Sequence, residues 1–200
     1  MIRGILGGSF DPVHSGHVAM AAYVLDRGLA QVLHVIPARL SPHKDATGAS
    51  AEQRLAMVRL AFQDFPGVII DPRELDRPGP SFTVDTLTEI EGRYPGDRLL
   101  LVIGQDNLAG LGTWKDPAGL GRLAEVAVLA RKDEGPGGSD QTAELPAGLR
   151  IRFHEDFHQP VSSTQIRAIL AQTGRRPEDL EQFLPGPVAA YIVRHQLYRA

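Results

Sequence analysis

The 200-residue chain contains no cysteine, which removes disulfides, thiolate catalysis and Cys-based zinc or iron sites together. No apolar stretch approaches the roughly 20 residues of a membrane span. The first residues run straight into a strand-like segment, without the charged and apolar regions of a signal peptide. Neither charge dominates: 21 Lys and Arg face 24 Asp and Glu, a net −3 with a pI near 6.2. A dedicated nucleic-acid binder would show a basic face and a high pI, so nucleic acid and membrane are set aside as partners. A small phosphorylated ligand is not excluded, because a few cations and backbone amides suffice to hold one. What remains is ordinary for a globular protein, 42% hydrophobic and 22% charged residues, enough for one core. A cytoplasmic enzyme of one domain, residues 1–200, is the expectation, with a homo-oligomer left open.

Hydrophobic patterning divides the chain into alternating strands and helices. Ile2 to Gly8 is a short apolar run closed by glycines, which predicts a buried strand. Ser15 is placed to cap a helix from Gly16 to Arg27, with Val18, Ala21, Ala22 and Leu25 inward. Gln31 to Ile36 and Val68 to Asp71 read as strands. Ser50 and Gln53 form a capping-box pattern before a helix with Leu55, Val58 and Phe62 on one face. After a loop from Arg73 to Pro80, Val84, Leu87 and Ile90 mark another helix. Arg98 to Ile103 and Glu125 to Ala130 are unbroken enough for parallel strands covered on both sides, and between them Asn107 to Trp114 is weakly helical. Glu134 to Gly148 reads as a loop, Arg150 to His154 as a strand, and helices follow from Ser162 and from Pro187 to Leu197. The pattern predicts an α/β fold: a Rossmann-like, doubly wound parallel sheet with a short helical end at about 175–200. Ligands of such sheets bind beyond the carboxyl ends of the strands, so the loops after Gly8, Pro37, Asp71, Gly104, Ala130 and His154 should carry the chemistry.

The first of these loops reads Gly7-Gly8-Ser9-Phe10-Asp11-Pro12-Val13-His14-Ser15-Gly16-His17. Glycines allow the backbone to turn tightly against a ligand. His14 and His17 sit where a helix N-terminus offers its N–H groups and partial positive charge to phosphate. Two imidazoles there suit charge stabilisation at phosphorus, although histidines in such a turn can equally be space-fillers. Near the other end, Val161-Ser162-Ser163-Thr164-Gln165-Ile166-Arg167 opens a helix with Ser163 and Arg167 on one face. Hydroxyls, helix amides and a planar guanidinium together fit phosphate, and the same segment also suits an ordinary capped helix. The first turn lacks G-x-G-x-x-G, which argues against a dinucleotide-dependent dehydrogenase.

The two segments resemble the HxGH and ISSTxIR motifs of the nucleotidyltransferase superfamily, with Val161 in place of isoleucine. Further stretches are similar to its nicotinic acid mononucleotide adenylyltransferase branch: Pro42-His43-Lys44, Ser81-Phe82-Thr83-Val84-Asp85-Thr86-Leu87, Ile103-Gly104-Gln105-Asp106, Leu111-Gly112 with Trp114, Arg131, Leu184-Pro185 and Tyr191-Ile192. The resemblance covers nearly the whole chain. It implies transfer of the adenylyl group of ATP to nicotinic acid mononucleotide, with Mg²⁺ carried by the ATP phosphates and no protein-held metal. It implies catalytic roles for His14, His17 and Arg167, and ATP contacts at Gly8, Ser9, Phe10, Gly16, Gly104, Asp106, Ser162, Ser163 and Thr164. Lys44, Thr83, Trp114 and Arg131 are implied to meet the mononucleotide, with Trp114 stacking on the pyridine ring. Two departures stand out: Lys115 where relatives often have a second aromatic, and Lys132 where a proline is usual. Phosphopantetheine is the rival acceptor, and a non-catalytic nucleotide-binding module of the same fold is the rival class.

Overall fold

The computed structural model describes residues 1–40, 48–130, 148–157, 159, 161–172 and 177–199. Among these, six strands form one sheet: β1 (Ile2–Gly8), β2 (Val32–Pro37), β3 (Val68–Ile70), β4 (Arg98–Gly104), β5 (Ala124–Leu129) and β6 (Ile151–His154). Every neighbouring pair is parallel, in the order β3-β2-β1-β4-β5-β6. The chain builds outward from β1 to β3, then returns to the middle and builds outward the other way. The reversal leaves a crevice between the ends of β1 and β4, where ligands of open α/β sheets bind.

Side chains alternate across each strand, and the two faces make two cores. Leu6, Leu33, Val35, Leu100, Val102, Ala127 and Leu129 face α1 (Ser15–Asp26), α2 (Ala51–Phe62), α6 (Ser163–Leu170) and α7 (Gly186–Arg194). Ile5, Ile36, Leu99, Leu101, Ile103, Val126 and Val128 face α4 (Thr83–Arg93) and α5 (Pro117–Leu123). Covering on both faces explains why β4 and β5 read as continuous apolar runs.

Several details differ from the sequence reading. His14, and not Ser15, occupies the N-cap of α1, and Ser15 is the first helical residue, its N–H taken by the Phe183 carbonyl at 2.9 Å. The stripe of α1 centres on Ala21 and Val24. On α2 the buried face is Arg54, Met57, Val58 and Phe62, with Leu55 only half-buried. The loop after β3 contains a one-turn helix, α3 (Arg73–Asp76). Asn107 to Trp114 contains two 3₁₀ turns, and α5 carries no apolar stripe long enough to show in the sequence. The last helix stops at Arg194, because Gln196 and Tyr198 adopt left-handed φ of 53° and 63°. Of the loop read at 134–148, only the final residue lies among the described ones.

A polar network joins β1, β2 and the chain after β3. The guanidinium of Arg3 lies 3.5 Å from the Tyr94 ring centroid, donates to Asp97 at 2.6 Å and meets His34 Nε2 at 3.1 Å. Arginine can only donate, so His34 Nε2 accepts and Nδ1 carries the proton given to Asp71 at 2.9 Å. Arg73 adds two bonds to the same carboxylate oxygen, at 2.9 and 2.7 Å. Burial alone would raise the Asp71 carboxyl, but the bonds from His34 and Arg73 and the Arg73 charge outweigh it and hold it far below the usual carboxylate range. A depressed native pKa stabilises the fold fully above the unfolded value of about 4, and that contribution is lost as pH falls towards the native value. Asp71→Asn should therefore lower unfolding stability by about 3 kcal/mol at pH 7, the scale for removing one partner of a buried pair. The deficit relative to wild type should shrink below about pH 4; denaturant titrations at pH 7 and pH 3 measure both, and a pH-independent deficit contradicts the assignment.

Candidate functional site

A cleft of about 750 Å³ opens over the β1/β4 crevice. One wall is the loop from β1 into α1. Gly7 has open space on its side-chain position, and a Cβ at Gly8 would touch the Phe10 ring at 3.4 Å. Phe10 itself has φ +48°, an uncommon conformation for a bulky residue. Its ring is buried in the core and stands edge-on to His17, with centroids 4.8 Å apart. Phe10 thus supports the site from beneath and does not line the cleft. The Asp11–Pro12 bond is cis.

His14 and His17 stack with ring centroids 3.7 Å apart. The backbone N–H of His14 donates to His17 Nδ1 at 3.2 Å, so Nδ1 accepts and the proton of the neutral ring resides on Nε2. Both rings border the cleft. Gly16 has to be small: a Cβ there would stand 3.0 Å from His14 Nδ1.

The second phosphate-type segment meets the first directly. Ser162 caps α6 by accepting from the Gln165 N–H. Ser163 Oγ donates to the Pro12 carbonyl at 3.1 Å. Arg167 donates to the Asp11 carbonyl at 2.7 Å and to Thr164 Oγ1 at 3.3 Å. Segments more than 150 residues apart thereby share one wall. Gly104 and Asp106, at the end of β4, border the same cleft.

At the opposite end lie Phe82, Thr83, Trp114 and Lys115. Ser81 is pinned there, its Oγ accepting from the Arg39 N–H at 3.0 Å and its N–H donating to the Leu40 carbonyl at 2.9 Å. Trp114 is half-buried against the second core and also faces the cleft. Lys115 makes two 2.9 Å contacts to Asp85 and sits 4.8 Å from the Phe82 ring centroid. Thr83 opens α4, whose N-terminus has no side-chain cap. Lys44 and Arg131 lie outside the described residues. Among the described residues no group of three or more His, Cys, Asp or Glu side chains could hold a metal ion, and no helix is long and apolar enough to cross a membrane.

Two residues that the sequence reading passed over prove central. Glu74 is buried on the cleft wall, accepting from Thr86 Oγ1 at 2.6 Å. Burial raises its carboxyl above the usual range, against the opposing pull of Thr86, Ser81 and Arg77. Arg54, 1% exposed, donates to the carbonyls of Ser9 and Ala38 at 2.7 Å each and to that of Arg39 at 3.2 Å. Its position four residues before Val58, on the apolar face of α2, was the available signal.

Residues 5–169 match the family described as cytidylyltransferase-like. The chain is 40% identical to an Aeromonas hydrophila protein named "Probable nicotinate-nucleotide adenylyltransferase", over 98% of this chain and 96% of the relative. It is 36% identical to a Chlorobaculum tepidum protein of the same name, over the full length of both. The chain belongs to the nicotinate-nucleotide adenylyltransferase family. The nicotinic acid mononucleotide adenylyltransferase of Plasmodium falciparum, solved in complex with NaAD, shares its fold: TM-score 0.79 at 16% identity, covering 98% of this chain and 97% of that one. A second structure of that protein, complexed with APC, superposes with a TM-score of 0.75.

In this family member the Arg54 bonds fix where β1 and β2 release their loops into the cleft. Arg54→Ala strands three carbonyls and should cost about 3 kcal/mol or more, since each bond to a charged donor contributes about 1.5–3 kcal/mol. Arg54→Lys should recover only part, because an ammonium lacks the planar fork. Urea midpoints measure both, and a near wild-type midpoint for Arg54→Ala would contradict this role.

Proposed function

We propose that this chain catalyses direct adenylyl transfer from ATP to nicotinic acid mononucleotide, as one nucleotidyltransferase domain working in the cytoplasm. A phosphate oxygen of the mononucleotide bonds to the α-phosphorus of ATP, the bond from that phosphorus to the β-phosphate bridging oxygen breaks, and pyrophosphate departs. The product is nicotinic acid adenine dinucleotide, which feeds NAD synthesis. The attacking phosphate is already anionic, so the reaction needs no side-chain nucleophile; positioning and charge stabilisation carry it. ATP enters with Mg²⁺, which screens the triphosphate charge.

The observation that carries this reading is the hydrogen-bonded junction of the His14/His17 loop with Ser163 and Arg167 on one wall of a cleft whose other end holds Trp114 and Thr83. His17 Nε2–H and His14 serve the phosphates at the reacting centre. Arg167 spends one N–H on the loop, at the Asp11 carbonyl, and one on Thr164 of its own helix, and offers the rest of its fork to the departing β- and γ-phosphates. Gly8, Ser9 and Gly16 give the triphosphate its close backbone approach, with Phe10 shaping the loop from below. Ser162, Ser163 and Thr164 add α6 amides and hydroxyls, and Gly104 with Asp106 take the ribose. Trp114 offers a face to the pyridine ring. The uncapped start of α4 at Thr83 directs helix donors at its carboxylate, with Lys44 and Arg131 completing the mononucleotide site. The one-domain reading rests on α7 side chains Val188 and Ile192 sharing a core with Met57 and Val58 of α2.

Incubation with ATP, Mg²⁺ and each acceptor separately tests the assignment. Pyrophosphate should form with nicotinic acid mononucleotide and not with phosphopantetheine. Donors set for a carboxylate meet an NH₂ in the amide, at a cost of about 1–3 kcal/mol. The kcat/KM ratio of acid to amide should thus lie between about fivefold and about 150-fold. A ratio near one refutes the acid preference alone; release that requires phosphopantetheine refutes the function.

His17→Ala should lower kcat about a hundredfold or more, the scale for losing one preorganised donor, with the melting temperature little changed. Near-normal turnover combined with a large loss of thermal stability would make His17 a structural residue.

A further inference from the structure

The segment after α7 reaches the phosphate loop. Its turn is anchored by Leu197, which is buried in the first core and donates its N–H to the Ile192 carbonyl at 3.1 Å. The left-handed conformations of Gln196 and Tyr198 then send Tyr198 inward, half-buried, beneath the loop between β1 and α1. Non-glycine residues hold this conformation only when their surroundings over-determine it. Tyr198 Oη donates to Asp11 Oδ1 at 2.7 Å. The same carboxylate, 4% exposed, accepts the Gly48 N–H at 2.8 Å and the Ala49 N–H at 3.1 Å. Asp11 thus gathers three donors through its side chain, while its own carbonyl receives Arg167. His14 follows three residues later.

The approach is shaped on both sides. A Cβ at Gly48 would stand 2.9 Å from Tyr198 Cδ1 and 3.0 Å from Cε1, closer than carbon atoms pack, so only glycine lets the ring seat. Burial, the bond to Asp11 and the Asp11 charge all raise the Tyr198 phenol, against Arg167 and Arg54, which keeps the hydroxyl a donor. Tyr198 does not border the cleft. Its influence on the reaction runs through Asp11.

We propose that Tyr198 is a positioning residue for adenylyl transfer, locking the histidine loop against α6 through the Asp11 carboxylate. The proposal rests on the adenylyl-transfer reading above. Removing the hydroxyl leaves Asp11 with two backbone donors that both belong to the chain entering α2, and nothing from the far side. The loop then gains freedom along the direction that sets His14 and His17 against Arg167. Displacements of an ångström at such groups cost rate much more than ground-state binding, because only the transition state demands the full constellation.

The test is steady-state kinetics on the whole chain with MgATP and nicotinic acid mononucleotide, beside thermal melting. Tyr198→Phe should lower kcat about tenfold or more while both KM values stay within about twofold. Gly48→Ala, which pushes the ring away without touching the hydroxyl, should reproduce the kcat loss. The double variant should lose no more than the larger single loss, as expected for two changes that break one contact. A lowered melting temperature with unchanged kcat makes Tyr198 a structural brace and overturns the proposal. So does a rise in either KM at constant kcat. If Tyr198→Phe does not fold, Gly48→Ala decides alone by the same criteria. A wild-type chain that releases no pyrophosphate with the mononucleotide overturns the functional reading and this one with it; an active wild type with an indifferent Tyr198→Phe overturns only this one.

Discussion

A guanidinium inside a protein is tolerated only where acceptors surround it, and in this fold the acceptors are loop carbonyls that the sheet cannot satisfy. Where β1 and β2 end, the backbone leaves the ladder and its carbonyls lose their strand partners. Arg54 collects those of Ser9, Ala38 and Arg39, so the two central loops leave the sheet at fixed angles. Burial pulls the arginine's pKa down, while the negative charges of Asp11 and Glu52 pull it back up. Everything above it follows in sequence: Ser9 is held, Phe10 turns left-handed over the core, Asp11 is caught by the chain entering α2, and His14 arrives at the helix start. The histidines owe their placement to a residue 40 positions away on another helix.

The two ends of the cleft are built differently. At the end bearing the histidines, rigidity comes from donors aimed at backbone carbonyls: Ser163 to Pro12 and Arg167 to Asp11. At the other end, polar side chains interlock with one another, Thr86 with Glu74 and Lys115 with Asp85. Lys115 stands where the resemblance noted above implies a second aromatic ring. Its ammonium over Phe82 fills a comparable place with a cation–π contact, so the substitution keeps a packed wall while adding charge.

Strand positions, the parallel sheet and the buried face of α4 were legible because burial on both sides imposes continuous or 3.6-periodic apolar runs. The two loop-to-helix starts that carry the histidines and the serines were legible as well, because glycines, imidazoles and hydroxyls gather there at element ends. What escaped was polar and buried. Arg54 drew no notice on α2, where Leu55 was set inward with Val58 and Phe62. Asp71 was taken as strand, although its carboxylate serves His34 and Arg73. Glu74 fell within a segment read as loop, and Tyr198 within a tail read as helix. Each has a partner beyond its own helical turn or strand, from 12 residues away for Glu74 to 187 for Tyr198, and neither periodicity nor a local motif encodes such a partner.

The strand order also decides when the binding site comes into being. β1 is made before its neighbour β4, which begins at Arg98, and the donors from α6 to the loop after β1 span 151 and 156 residues. Contacts of such separation form late, because loop-closure entropy must be overcome before they contribute. On the ribosome, the histidine loop emerges long before the serine and arginine that bond to it, so an incomplete chain holds only half of this wall. Under the proposed function, nucleotide engages only the finished wall, so by mass action it stabilises the chains that have completed it.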